Sequence, residues 1–312
     1  MQTNRLLLFI VLLLSQGASQ SEAQRQQPGG ERGAGPQRQK LDDKATRYAT
    51  ADDGTPLKWN VFPGAGPAPH PAVLVIHGGD FKAEPTSPNS VRAARDAAAA
   101  GFNVFLTRYR LAPPGRLPGQ KSLGQFPDQT NDLKRAVQAA RAYPGGNGKV
   151  GAIGGSAGAS HAVYLAATGT KGDDRLDAAV GLSGVYDLTL LPRRHQQRLV
   201  ENYTGSGSIE AARKASPINS VDASVSPLYV IASDNESMPP NQLPALVRKL
   251  KEVGATNFKE LLRTNSQRHA FANWPDVREQ ALDFLKQTLG TPGGGTGSSE
   301  SNSPAPSPSA SR

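Results

Sequence analysis

Between residues 72 and 289, short apolar, β-branched runs alternate with longer alanine-rich or amphipathic stretches, and this alternation restricts the fold more than any other feature of the chain. Near-continuous apolar strands are buried on both faces, and strands that alternate with helices are those of a parallel sheet. The reading predicts strands at Ala72–His77, Asn103–Arg108, Lys149–Ile153, Ala178–Leu182, Leu228–Ala232 and Phe258–Leu262. Helices are expected at Ser90–Ala100, Asp128–Tyr143, Ala157–Ala167, Gln242–Val253 and Pro275–Leu289, the last opening on a proline that a first helical turn tolerates. The expected class is α/β, a mostly parallel central sheet with helices on both faces. In such a sheet, functional groups collect just beyond the carboxyl ends of the strands.

Composition narrows the chemistry. With 312 residues, 37% of them hydrophobic, and 33 glycines, the chain can build one large core, and global disorder is excluded. The absence of cysteine excludes a disulfide framework, a zinc finger, an iron–sulfur cluster and a lipid-bearing cysteine, so any nucleophile is an oxygen or a nitrogen. The net charge of +9 includes +3 from the first 40 residues, where Arg5, Arg25, Arg32, Arg38 and Lys40 face Glu22 and Glu31. The densest basic run, Arg193, Arg194, His195 and Arg198, is too sparse for a nucleic-acid stripe, and no nucleic-acid partner is expected.

The two ends lie outside the expected fold. Arg5 precedes an apolar run from Leu6 to Leu14, followed by small and polar residues, which is the order of a secretory signal with cleavage near Ala18–Ala23. The run is far short of the roughly 20 residues of a membrane span, so export without stable membrane insertion is expected. The tracts from Gln24 and from Thr291 are rich in Gly, Pro and Ser or Gln and lack apolar periodicity. Such tracts bury too little apolar surface to order themselves. The expected organisation is a signal peptide at 1–23, a linker at 24–44, a catalytic domain at 45–290 and a disordered tail at 291–312.

The strand Lys149–Ile153 runs into Gly154-Gly155-Ser156-Ala157-Gly158 and then into a helix, so a G-x-S-x-G pentapeptide sits at a strand-to-helix junction. A serine in that sharp turn projects its hydroxyl, glycines flank it because side chains would collide, and the Ala157 amide at the helix start faces a developing oxyanion. At the end of the first long strand, His77-Gly78-Gly79-Asp80-Phe81 forms a second glycine turn, which would add the amides of Gly79 and Asp80 to the same oxyanion hole. Five histidines are present. His70 lies between prolines, His77 in the glycine turn, His161 in the helix after Ser156 and His195 in the basic loop, which leaves His269 as general base. It sits between the last strand and the last helix, and the chain order of serine, acid, histidine agrees.

At these residues the chain resembles an α/β-hydrolase, and more narrowly the HGG-motif serine esterases that include hormone-sensitive-lipase-like, feruloyl-esterase-like and kynurenine-formamidase-like enzymes. The resemblance covers residues 55 to 290. It rests on VIHGGDF, on Tyr109-Arg110-Leu111-Ala112-Pro113, on Phe126-Pro127 with Asp132, on GGSAG, on Leu182-Ser183-Gly184-Val185-Tyr186-Asp187-Leu188, on Ser216-Pro217 and on the His-Ala-Phe at 269–271. Asp80 departs from the Gly, Trp or Tyr usual after the paired glycines. The resemblance implies an α/β-hydrolase fold, an acyl-enzyme on Ser156, and no metal or organic cofactor.

It also implies an acid a few residues after the strand Leu228–Ala232, before a proline. The local text is Ser233-Asp234-Asn235-Glu236-Ser237-Met238-Pro239. Ungapped alignment puts Asn235 in the acid position, with Asp234 and Glu236 on either side. Asp234 is the expected triad member, because a short carboxylate directly after the strand is held more rigidly, with Glu236 the alternative. The expected function is an exported serine hydrolase cleaving short-chain carboxylic esters, small or carbohydrate-linked. The alternatives are an amidase, peptidase or formamidase on the same fold, or a non-catalytic binding protein that keeps the hydrolase fold.

Overall fold

The computed structural model describes residues 41, 44–84, 87–114, 122–192, 196–239 and 241–291. The expected signal peptide, nearly all of the expected linker and the tail beyond Thr291 lie outside the described residues, as do Arg193, Arg194 and His195. Among the described residues, eight strands form one sheet in the order β1-β2-β4-β3-β5-β6-β7-β8. They are β1 Thr46–Thr50, β2 Pro56–Phe62, β3 His70–Ile76, β4 Asn103–Thr107, β5 Gly146–Gly155, β6 Ala178–Leu182, β7 Leu228–Ser233 and β8 Phe258–Arg263. From β4 to β8 every neighbouring pair is parallel, whereas β1 with β2 and β2 with β4 are antiparallel. This is the α/β-hydrolase fold that the sequence motifs imply.

The helices are α1 Pro88–Ala99, α2 Asp128–Arg141, α3 Ala157–Ala167, α4 Glu201–Thr204, α5 Ile209–Ala215, α6 Gln242–Glu252 and α7 Trp274–Leu289. Ser87 opens α1 by accepting the Asn89 N–H on its hydroxyl, with Pro88 in the first turn where a missing N–H is harmless. Every residue of β3, β4 and β6 is buried, and alternation along β3 divides the core. Ala72, Leu74 and Ile76 pack with Leu133, Val163 and Leu246 of α2, α3 and α6 on one face. Val73 and Val75 pack with Val91 of α1 and Phe284 of α7 on the other. Helix α3 is buried on nearly all sides, which matches its run of alanines and aliphatic residues.

Two strands, β1 and β2, were not foreseen, nor were the short helices α4 and α5. The two strands form a hairpin around Asp52-Asp53-Gly54, in which Ala51 N–H donates to Thr55 O, Gly54 N–H donates to Ala51 O, and Gly54 has φ 83°. They sit at the antiparallel edge of the sheet, so their sequences mix polar and apolar residues and carry no continuous apolar run. Register then sets the site. Ile76 of β3 pairs with Gly154 of β5, and Gly155 with Leu182 of β6, so the turns after these strands emerge side by side.

Candidate active site

Ser156 stands between β5 and α3 at φ 55°, ψ −121°, a left-handed backbone that costs a non-glycine residue about 1–3 kcal/mol. Its N–H donates to Leu182 O at 2.9 Å, and its carbonyl accepts from the N–H groups of Ala159 and Ser160 at 2.9 and 3.2 Å. The flanking glycines have no room for side chains. A Cβ at Gly158 would lie 2.2 Å from Ile76 O, and one at Gly154 would lie 2.2 Å from Gly158 O. Backbone atoms of β3, the turn and the start of α3 therefore interlock. Ala157 is the first residue of α3, where a backbone N–H has no partner within the helix.

The second glycine turn abuts the first. A Cβ at Gly78 would approach Gly155 O to 2.8 Å and Ser156 Cβ to 2.9 Å. The next three residues are all left-handed, with φ of 102° at Gly79, 53° at Asp80 and 61° at Phe81. His77 has a structural place beneath this loop. Its ring stacks on Tyr109 at 4.4 Å and 8°, and the Tyr109 hydroxyl donates to His77 O at 2.9 Å. Next to Tyr109, Arg110 binds the fully buried Asp132 of α2 from Nε and Nη2 at 2.9 and 2.8 Å, while its backbone N–H donates to the same carboxylate at 3.0 Å. Three motifs read separately in the sequence thus join into one support for the loop. Asp80 itself is exposed and pairs with Lys82 at 3.4 Å.

His269 follows β8 on a loop packed against the serine turn. The two residues after it, Ala270 and Phe271, lie so close to Gly155 that a Cβ there would meet Phe271 Cδ2 at 2.7 Å and Ala270 Cβ at 3.1 Å. The carboxylate against the imidazole is Glu236, with Oε2 at 2.6 Å from Nδ1. The expectation of Asp234 in this place is corrected. Asp234 N–H donates to Arg263 O, continuing the β7–β8 pairing for one residue, and its side chain turns toward the β8 loop. There it accepts the N–H groups of Asn265 and Ser266 at 2.8 and 3.0 Å, and these bonds hold its carboxyl below the usual aspartate range. The chain turns back after Asn235, so the longer Glu236 reaches over the strand end, its Oε1 accepting Ser233 N–H at 2.9 Å. Rigidity next to the strand is real, but the β8 loop uses it.

Asn273, which no motif singled out, ties the histidine loop to its neighbours. It is fully buried. Its Nδ2 donates to Arg268 O at 3.0 Å and to Ser183 Oγ at 3.4 Å, while its Oδ1 accepts from Ser233 Oγ and Arg263 Nη1 at 3.1 and 2.6 Å. Ser183 Oγ also accepts the Ala270 N–H at 3.0 Å. Both Ser183 and Ala270 are left-handed, with φ of 55° and 50°. Backbone strain is thus concentrated at the carboxyl end of the sheet, around Ser156 and His269.

Residues 61–250 match the BD-FAE family. The chain belongs to the BD-FAE family. A probable carboxylic ester hydrolase, LipM, of Mycobacterium tuberculosis is 28% identical over 149 residues, which cover 41% of this chain. The chain spans about a third of the length of that curated relative, 35%. Among solved structures, an acetyl ester-xyloside bifunctional hydrolase from Caldicellulosiruptor lactoaceticus superposes with a TM-score of 0.65 at 14% identity, covering 78% of this chain and 95% of that one. A carbohydrate esterase from gut microbiota has a TM-score of 0.65 at 16% identity over 79% and 95%. The esterase Est2 of Thermogutta terrifontis, bound to propionate, has a TM-score of 0.62 at 19% identity over 80% and 96%.

In this BD-FAE chain an apolar cluster closes one side of the site. Phe81 from the glycine loop, Ala157, Val185 and Leu188 pack with Leu191, Val200, Tyr203, Ala212 and Ala215. The described part of the segment 191–216 therefore lies over the start of α3, a placement that the polar and basic text of that segment did not indicate.

Proposed function

We propose that this protein is a carboxylic ester hydrolase that cleaves short-chain acyl esters, including those on carbohydrate, with Ser156 as nucleophile, His269 as general base and Glu236 as the acid. The observation that carries the reading is the strained serine turn with the His269–Glu236 pair packed beside it. Ser156 Oγ attacks the ester carbonyl as its proton passes to His269 Nε2. Glu236 fixes the tautomer through Nδ1 and stabilises the imidazolium. The amides of Gly79, Asp80 and Ala157 receive the oxyanion, which then collapses, expelling the alcohol with the proton from His269. Water, deprotonated by the same imidazole, releases the acid. The closed apolar cluster beside Ala157 favours a small acyl group. Family membership and the esterase relatives support ester chemistry, and the two carbohydrate-active structural neighbours support a carbohydrate-linked leaving group.

The test uses p-nitrophenyl acetate, acetylated sugars, peptides and a fluorophosphonate probe. Native protein is expected to turn over the acetate esters best, and Ser156→Ala to lose several orders of magnitude in rate together with the label. Equal labelling of the variant, or a preference for peptides, would overturn the reading. Export through residues 1–23 belongs to the same proposal. Sequencing the amino terminus should give a start between Ser19 and Gln27, and retention of Met1 in the membrane fraction would contradict it.

A further inference from the structure

We propose that Gln129 is a positioning residue for the oxyanion loop: its side-chain amide, oriented by His161, holds the Phe81 carbonyl and keeps the Gly79–Phe81 backbone in its left-handed course over Ser156. The inference rests on the esterase reading above. Gln129 is the second residue of α2 and fully buried, and its Nε2 donates to Phe81 O at 2.7 Å. Its Oε1 lies 3.0 Å from His161 Nε2. His161 is on α3, five residues after Ser156, and is buried as well. The chain of contacts therefore runs from the nucleophile helix, through one amide of α2, to the loop that carries two of the expected oxyanion donors.

The chemistry of these groups allows a single arrangement. A backbone carbonyl only accepts, so the amide nitrogen of Gln129 must face Phe81. Its oxygen must then face His161, and since that oxygen only accepts, the imidazole must carry its proton on Nε2. Burial holds His161 far below the usual histidine range, at about 3, so the ring is neutral with one proton, and the Gln129 contact fixes where it sits. The Phe81 carbonyl has a second anchor in the Ala112 N–H at 2.8 Å. The Phe81 ring stacks on Tyr203 at 3.9 Å and meets the His161 ring edge-on at 5.2 Å. Two consecutive non-glycine residues in the left-handed region revert readily to ordinary backbone unless their surroundings hold them. An apolar side chain at position 129 would fill the same space, but would leave both the carbonyl bond and the His161 proton without it.

Gln129→Met, close in volume and without a donor, is the deciding variant. Three quantities are measured: kcat and KM for p-nitrophenyl acetate, the affinity of a trifluoromethyl ketone whose serine adduct places an oxyanion in the same hole, and the pH dependence of kcat/KM. Loss of a whole oxyanion donor costs about 100- to 1000-fold in kcat. Misplacement is expected to cost about 10- to 100-fold, with KM within about threefold, the ketone weakened by the same factor, and the shape of the pH profile unchanged. A folded Gln129→Met with native kcat and native ketone affinity would overturn the proposal. If that variant does not fold, nitrogen-15 NMR of native protein decides. An Nε2–H imidazole at position 161 that does not titrate between pH 5 and 8 supports the network, and the other tautomer or a titration in that range overturns it. Native protein without esterase activity would instead sink the reading on which the proposal rests, and the proposal with it.

Discussion

His269 meets Glu236 with Nδ1 at 2.6 Å from Oε2, and the two side chains differ in exposure, 31% for the imidazole against 2% for the carboxylate. The proposed base is thus the more exposed of the two, while its partner is withdrawn from water, where a hydrogen bond to a charged group is stronger. Replacing Glu236 with Gln should keep the shape and remove the charge that stabilises the imidazolium. In the serine-protease template that change costs about four orders of magnitude, and a loss of about 10³- to 10⁴-fold in kcat is expected here. Asp234→Asn should retain near-native kcat and lower the melting temperature, because the β8 turn and the Asn235 amide lose a charged acceptor. Steady-state kinetics of the two variants on one ester separates them. Collapse of Asp234→Asn with survival of Glu236→Gln would reverse the assignment.

Asn273 is the second test. Its four hydrogen bonds reach the acid-bearing strand end at Ser233, the end of β8 at Arg263, the His269 loop at Arg268, and Ser183 beside the serine turn. Asn273→Leu fills the space but strands buried partners, each at about 1–3 kcal/mol where water does not reach them. A lowered melting temperature is expected, with kcat down about tenfold or more, since loose placement of a catalytic group by about 1 Å costs on the order of 10². Arg263 and Ser266 share this polar cluster, so a small change in both quantities would mean that the Ser233–Ser266 contact at 3.0 Å carries the clamp instead.

What the sequence disclosed divides along a physical line. Apolar runs place β3 to β7 within a few residues, because their buried stretches leave little choice of composition, whereas β8 at the sheet edge has no fully buried residue. The turn residues Gly78, Gly154 and Gly158 were legible as well, since close backbone approach admits only glycine, and the distances around them bear this out. The antiparallel edge was not, because β1 has no buried residue and β2 mixes exposed and buried ones, so neither carries a continuous apolar run. The carboxylate that contacts His269 was not legible, because spacing along the chain says nothing of which way a loop side chain turns. Asp234 and Glu236 differ by two residues and face different partners. Gln129 and Asn273 gave no signal because a buried amide is defined by its partners, and these lie 32 to 48 residues away for Gln129 and up to 90 for Asn273.

His161 supplies a prediction about stability rather than rate. Burial, and secondarily the charge of His77, lowers its pKa to about 3, from an ordinary value near 6.5 in the unfolded chain. Between those two values the unfolded chain binds a proton that the folded chain does not, so stability rises with pH across that window. Above about pH 6.5 the group contributes no slope, and below about 3 the loss is complete. At pH 5 the difference in protonation amounts to about 2 kcal/mol of lost stability relative to pH 7.5. His161→Gln removes the titration while keeping a side chain able to donate to Gln129. Urea unfolding of native protein and variant at pH 7.5 and 5.0 compares the two, with the remaining titrating groups common to both. Native protein should lose about 2 kcal/mol more than the variant on acidification. Equal losses would mean that His161 takes up its proton in the folded state near its ordinary pKa.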